Sequence, residues 1–134
     1  MNATTLGERT LVARDFDRIS KLQDDGRLPQ ALQAILDGAD ILRSREIPAD
    51  IVTMYSRVEL IDQQTRRRYE LTLCFPGDSE PASGFVSVLS PVGCALLGLR
   101  TGAIARWQLP GGVEGAAEVA AVVFQPEASG DYLR

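Results

Sequence analysis

The amino-acid sequence predicts an α+β fold, with a short N-terminal antiparallel helical hairpin followed by an antiparallel β-sheet domain that contains one short buried helix. Apolar residues recur every three or four positions up to residue 47, which is typical of amphipathic helices. From residue 48 onward they recur at every second position, which is typical of half-buried strands. The 134 residues suffice for one core with a small appendage. We therefore predict a hairpin over residues 1–47 and a sheet domain over residues 48–134.

Two apolar stripes define the predicted hairpin. The first stripe consists of Phe16, Ile19 and Leu22. The second consists of Leu28, Leu32, Ile35, Leu36, Ala39 and Leu42. Asp15 is a suitable N-cap for the first helix, Gly26 suits a left-handed helix end, and Pro29 suits the first turn of the next helix. So short a connection makes the helices antiparallel, and two short helices need support, so we expect their base to lean on the sheet domain.

Five segments of the second part predict strands. One alternating face comprises Val52, Met54, Val58 and Leu60, and the next comprises Tyr69, Leu71, Leu73 and Phe75. Both patterns favour antiparallel strands with one solvated side. The segment "FVSVL" indicates a short buried strand, and "AIARWQLP" indicates another with Trp107 and Leu109 on one face. The segment "AEVAAVVF" is apolar on both faces, which favours a central strand covered on each side.

The stretch "SPVGCALLG" predicts the short buried helix. Ser90 is a good N-cap, Pro91 a good first helical residue, and Gly98 a good stop. The residues between them are almost wholly apolar, so we interpret the helix as scaffold. Neither Ser90 nor Cys94 has a base that would make it a nucleophile, because the chain contains no histidine.

The composition excludes several kinds of chemistry. Without histidine there is no Ser-His or Cys-His pair, no histidine-ligated metal and no phosphohistidine. No phosphate-binding loop is present, since "LPGGVEG" lacks the lysine and the following helix. We predict a protein that is not an enzyme and has no cofactor and no metal. Cys74 and Cys94 lie in apolar surroundings and favour reduced core thiols, although their spacing leaves a disulfide open.

Charge and hydropathy narrow the partners. The net charge is −4, and the single basic cluster, Arg66, Arg67 and Arg68, is typical of a solvated turn that can also contact phosphates or an acidic protein surface. No aromatic residues are interleaved with it, so we expect no specific nucleic-acid binding. The N-terminus carries charges where a signal peptide would be apolar, and no apolar run reaches the length of a membrane span. We expect a cytoplasmic monomer.

Several ordered blocks resemble a known family. The segments "SRVEL", "SVLSPVGCALLGLRTG" and "LPGG" resemble the C-terminal domain of the Gre transcript-cleavage factors. The longer blocks "VTMYSRVEL", "WQLPGG" and "FQPEASGDYLR" are similar to the regulator of nucleoside diphosphate kinase family. This resemblance covers most of residues 48–134, whereas over residues 1–47 it depends on the layout and length of the hairpin. The chain departs from the family pattern at Ala103, where an acidic residue is usual, and at Arg106 before the tryptophan.

The resemblance implies a short coiled-coil hairpin on an FKBP-like domain. It also implies binding to RNA polymerase near the secondary channel, in competition with Gre-type factors. The family name records an effect on nucleoside diphosphate kinase and does not imply kinase activity. By exposure alone, the candidate partner-binding residues are Asp24, Asp25, Arg57, Glu59, Arg66, Arg67 and Arg68.

The predicted hairpin tip, Asp24 and Asp25, decides between two hypotheses. Gre factors act through acidic residues at the tip of a long hairpin that help to hold a catalytic magnesium ion. Here the predicted arms reach only about 15–25 Å. We therefore expect occupancy of the polymerase without cleavage. The alternative is a Gre-like cleavage accessory factor that uses both aspartates.

A peptidyl-prolyl isomerase is a further alternative, suggested by the FKBP-like fold. Such an enzyme needs a concave aromatic pocket. The available aromatic residues are Tyr55, Tyr69, Phe75, Phe85, Trp107 and Phe124. Their alternation fits ordinary core packing, and fold alone does not carry function.

Overall fold

A computed structural model describes residues 9–22, 26 and 28–131. The N-terminal part contains two short strands and two helices in the order β1 (Thr10–Val12), α1 (Ala13–Ser20), α2 (Gln30–Gly38) and β2 (Asp40–Leu42). Strands β1 and β2 pair in parallel as a separate two-stranded sheet, with Thr10 opposite Asp40 and Val12 opposite Leu42. The first 47 residues are therefore not wholly helical.

Two details of the predicted helices are wrong. Asp15 does not cap α1, because the helix begins at Ala13 and Asp15 is a buried residue in its first turn. The second helix ends at Gly38, four residues early, because the Asp40 amide donates to the Arg9 carbonyl oxygen at 2.9 Å and the chain continues as β2.

The turn between the helices is described only in part. Gly26 has the predicted left-handed conformation, with φ of 67°. Asp24 and Asp25 lie outside the described residues. The antiparallel hairpin itself stays a prediction.

The second part is built on a five-stranded mixed sheet. Its strands are β3 (Arg57–Asp62), β4 (Arg68–Cys74), β5 (Phe85–Ser87), β6 (Ile104–Gln108) and β7 (Glu114–Phe124), and helix α3 (Pro91–Leu96) lies between β5 and β6 in sequence. The strand order is β5-β4-β3-β7-β6. Every pair is antiparallel except β4 and β5. This corrects the prediction of a purely antiparallel sheet.

Two short 3₁₀ turns explain the parallel pair. The turns Pro76–Asp78 and Pro81–Ser83 lie in the connection that follows β4. They lead the chain back, so that Phe85 lies opposite Thr72. Strand β5 is consequently a short edge strand and not the buried strand that "FVSVL" predicts.

Only one face of the sheet is covered. Strand β7 buries Ala117 and Val119, whereas Val123 is 43% exposed, so the prediction of a strand covered on both sides is wrong. The reason is that the buried residues of all three helices belong to one cluster with the inward residues of the sheet.

The N-terminal helices share the hydrophobic core of the sheet. Ile19 of α1 and Leu32 of α2 are fully buried in the same cluster as Val58 and Leu97. This confirms the expectation that the helical part leans on the second part. The boundary between two units at residue 47 stays a prediction.

Helix α3 follows its sequence signals. Ser90 caps it, accepting a hydrogen bond from the Gly93 amide at 3.1 Å, Pro91 is the first helical residue, and Gly98 is left-handed after the last turn. Gly93 is required for packing, because a Cβ there would lie 2.0 Å from the Ser87 carbonyl oxygen. The prediction of a capped core helix is confirmed.

Cys74 and Cys94 are free, buried thiols, and burial raises the pKa of each. This agrees with the interpretation of two reduced core cysteines. Among the helices within residues 9–131 that the structure describes, none has the length and apolar character needed to cross a bilayer.

Candidate interaction surfaces

Three of the predicted partner-binding residues lie together on the outer face of the sheet. Arg57 and Glu59 project from β3 and Arg68 from β4, where Glu70 completes the group. Two diagonal ion pairs form, Arg57 Nε to Glu70 Oε1 at 3.6 Å and Arg68 Nη1 to Glu59 Oε1 at 3.3 Å. We call these four residues the charged face. Because the pairs are solvated, each contributes at most about 1 kcal/mol to folding.

The predicted arginine turn connects β3 to β4. Asp62 fixes it, because its Oδ1 accepts hydrogen bonds from the Gln64 and Thr65 amides, both at 2.9 Å. These bonds hold the pKa of Asp62 below its usual range. Arg66 has a left-handed φ of 62° and, like Arg67, is exposed. Neither arginine forms an ion pair with another residue that the structure describes. The turn therefore presents two available cations.

A groove of about 890 Å³ lies between α2, the start of α3 and the β6–β7 hairpin. Its walls include Ile35 of α2, Pro91 of α3 and Trp107 of β6. Gln63 and Gln64 of the β3–β4 connection also line it, so the groove adjoins the arginine turn. The sequence did not indicate this concave surface, because its walls come from segments far apart in the chain.

Trp107 is held in the groove wall by a glycine on the neighbouring strand. Trp107 lies opposite Gly115 in the β6–β7 register. A Cβ on Gly115 would lie 2.3 Å from the indole Nε1, so the indole packs directly on the glycine backbone. A tryptophan and a glycine placed symmetrically about "LPGG" are the sequence signal that identifies this contact.

Arg9 forms another part of the groove and ties the N-terminal segment to α3. Its Nη1 donates to the Leu97 carbonyl oxygen at 2.7 Å and to the Cys94 carbonyl oxygen at 3.4 Å. Burial lowers the pKa of Arg9. These contacts join residues more than 80 positions apart in sequence, so sequence reasoning missed them.

The aromatic residues outside the groove make other contacts. The Tyr55 and Phe75 rings have centroids 6.0 Å apart, and the Arg18 guanidinium lies 4.3 Å from the Phe75 ring centroid. Tyr55 donates a hydrogen bond from its hydroxyl group to Asp78. Across the described parts of the chain, no group of three or more potential ligands among Cys, Asp and Glu is placed to hold a metal ion.

Comparison with known proteins establishes the family. Residues 47–123 match the model of the C-terminal domain of the transcription elongation factors GreA and GreB. The regulator of nucleoside diphosphate kinase from Escherichia coli (strain K12) is 46% identical over 134 aligned residues, which cover 92% of this chain and 96% of the relative. The chain belongs to this regulator's family. It is therefore a Gre-related regulator, as the sequence blocks predicted.

Other members of the wider Gre family agree. Transcription elongation factor GreA from Clostridium beijerinckii is 33% identical over 89 residues, covering 66% of this chain and 55% of that protein. The solved structure of a GreA/GreB elongation factor from Nitrosomonas europaea superimposes with a TM-score of 0.73 at 31% identity. That alignment covers 87% of this chain and 98% of the other. The α+β fold of the family, like that of a Gre C-terminal domain, thus extends over most of this chain.

Proposed function

We propose that this chain is a non-catalytic transcription regulator that binds RNA polymerase near its secondary channel and competes there with Gre-type factors. In this way it is linked to regulation of nucleoside diphosphate kinase. The observation that carries the proposal is a Gre-type domain combined with very short helices, of eight residues in α1 and nine in α2. The proposal includes a coiled-coil hairpin over 1–47, an FKBP-like domain over 48–134, and action as a monomer.

Short reach supports occupancy without cleavage. At about 1.5 Å per residue, α1 and α2 span only about 12 and 14 Å. Both helices also bury their apolar residues in the common core and do not form a free arm, since Ile19 and Leu32 are fully buried. Carboxylates at Asp24 and Asp25 would therefore remain close to the sheet domain and far from a polymerase active site.

We propose that the groove and the arginine turn together form the main contact with polymerase. The groove supplies an apolar concave wall with Ile35 and Trp107, and the turn beside it supplies the cations Arg66 and Arg67. Such a surface fits a partner segment that is apolar along one side and acidic at its border. The charged face, with Arg57, Glu59 and Arg68, is proposed as a weaker peripheral contact, because its charges are already paired with one another.

A competition experiment tests the function. A fluorescently labelled chain should bind core RNA polymerase and be displaced by a Gre-type factor. In backtracked elongation complexes it should produce no more transcript cleavage than the polymerase alone. Robust cleavage that disappears in the Asp24→Ala/Asp25→Ala double variant would refute occupancy alone and establish the cleavage-factor alternative.

Charge reversal tests the surface. The double variant Arg66→Glu/Arg67→Glu should weaken binding to polymerase by at least about tenfold, because two cations become repulsive towards an acidic partner. Arg43→Glu/Arg45→Glu is the matched control, since it makes the same charge change at two other exposed arginines. Equal loss in both double variants would show a response to net charge and would remove the arginine turn from the interface.

The isomerase alternative has little support from the groove. Of the described residues that line it, Trp107 is the single aromatic one, while Tyr55 and Phe75 pack near Arg18 elsewhere. A proline-peptide isomerisation assay should give the uncatalysed rate. A rate above that background, lost in Trp107→Ala, would restore this alternative.

A further inference from the structure

Two buried carboxylates from opposite ends of the chain meet at one turn of backbone. Asp15 of α1 is 3% exposed, and Glu127, which follows β7, is 9% exposed. The turn over residues 53–56 donates to both of them. The Met54 amide donates to Asp15 Oδ2 at 3.0 Å, and the Thr53 hydroxyl donates to Glu127 Oε1 at 2.7 Å. Carboxylates are seldom buried in this way, because desolvation of the ionised form is costly.

The turn that holds the two carboxylates is itself fixed to the sheet. The Thr53 amide donates to Ser56 Oγ at 2.9 Å, and the Ser56 amide donates to the Thr53 carbonyl oxygen at 3.0 Å. Tyr55, at the centre, has a left-handed φ of 66°, which is unusual for a residue other than glycine, and its amide donates to the Leu73 carbonyl oxygen of β4. Since the turn is bound to β4, α1 is the element that can move away.

The charges that face Asp15 come from two elements. Glu127 faces it from the segment after β7 and disfavours ionisation, while Arg14 and Arg18 lie on its own helix and favour it. Arg18 is also engaged with the Phe75 ring. Burial has the largest effect, and together these influences raise the pKa of Asp15 to about 7, although the hydrogen bond from Met54 opposes the increase.

We propose that Asp15 and Glu127 form an acid-sensitive latch, which holds α1 on the sheet domain while Asp15 is protonated and weakens when both carboxylates are ionised. The proton leaves to solvent, and the two buried negative charges then oppose each other. Helix α1 has eight residues and depends on packing for its stability, so its detachment is a local opening. The latch does not depend on polymerase binding and sets how firmly the helix before Asp24 is held.

The direction of the pH dependence follows from linkage. In the closed form the pKa of Asp15 is about 7, whereas in the opened, solvated form it returns towards the ordinary value of 3.8. The closed form therefore has its full advantage below the ordinary carboxyl pKa and loses it as pH rises to about 7. Between pH 6 and pH 8 the equilibrium constant for opening of α1 should increase about tenfold.

Amide hydrogen exchange measured by NMR tests the latch. After correction for intrinsic exchange rates, the amides of α1 and of Met54 should report the tenfold increase in opening from pH 6 to pH 8. Amides in the centre of β3 and β4 should not follow. Asp15→Asn, which keeps an oxygen acceptor for Met54, should abolish the dependence. Asp17→Asn, an exposed position on the same helix, should retain it.

Glu127→Gln provides a second, independent test. It keeps an oxygen acceptor for the Thr53 hydroxyl and removes the opposing charge, so the midpoint of α1 opening should move to lower pH. This variant and the wild-type profile decide the matter if Asp15→Asn does not fold. The latch is overturned by a flat wild-type profile, by an unchanged midpoint in Glu127→Gln, by an unchanged profile in a folded Asp15→Asn, or by equal pH dependence in β3, β4 and α1.

Discussion

The junction beneath α1 and the charged face of the sheet contain the same kinds of side chain in opposite environments. At the junction, Asp15 and Glu127 are almost completely buried. On the charged face, the Arg57 and Glu70 side chains remain 57% and 52% exposed. Water screens the second group and not the first. The comparison teaches that burial, more than the number of charges, decides what a charge does to this fold.

The two regions are consequently suited to different tasks. Solvated charges cost the fold little, so the charged face can be offered to a partner. The junction is closed to a partner, but small changes there alter how α1 is held. Three predictions test this division, from the largest expected effect to the smallest.

Loss of packing at the junction should have the largest effect. Ile19→Ala removes a fully buried side chain between α1 and the sheet, and should lower the free energy of unfolding by about 3 kcal/mol. Ile41→Ala is the matched control, because Ile41 is 42% exposed and its truncation should cost below about 1 kcal/mol. Urea unfolding followed by circular dichroism measures both. Similar losses would mean that α1 is not part of the core.

Loss of the Arg9 hydrogen bonds should have an intermediate effect. Arg9→Met keeps much of the buried aliphatic packing but leaves the Leu97 carbonyl oxygen without this donor, at a cost of about 2 kcal/mol. Arg100→Met is the control, since the exposed Arg100 pairs only with Asp50, at 3.3 Å, and should cost below about 1 kcal/mol. Thermal and urea unfolding should rank the two variants in this order. The reverse order would contradict the comparison.

The charged face should show the smallest effect on stability. A double-mutant cycle with Glu59→Gln and Arg68→Gln should give a coupling energy below about 1 kcal/mol. Because the pair is exposed, that coupling should shrink further when salt is raised to about 1 M. A coupling of several kcal/mol that salt does not change would show that the charged face acts as a structural network.

Local features were predictable from the sequence. The cap and end of α3, the strand alternation around Val58 and Leu71, and the arginine turn all depend on residues within a few positions of one another. The family blocks were predictable for the same reason, because they are contiguous. The helix predicted as far as Leu42 failed, since pairing of β2 with β1 outweighed the apolar spacing.

The candidate surfaces were predictable only in part. Arg57, Glu59 and Arg68 were expected at exposed positions, but their joining in two ion pairs depends on the register of β3 and β4. The groove was missed, because its walls are brought together by packing of α2 and α3 beside the β6–β7 hairpin. Trp107 was interpreted as core, although half of its environment is the groove wall.

By itself, the sequence determined the α+β class, the strand faces, the capped helix and the family, because hydrogen bonds between neighbouring residues and short apolar periods decide these features. Only the tertiary structure decided the parallel strand pairs, the groove and the meeting of Asp15 with Glu127 at one turn. The contacts that create them join residues 39, 74 and 88 positions apart, between Asp15 and Met54, Thr53 and Glu127, and Arg9 and Leu97. Closure of such long loops is decided by the packing of the whole core, which no local spacing records.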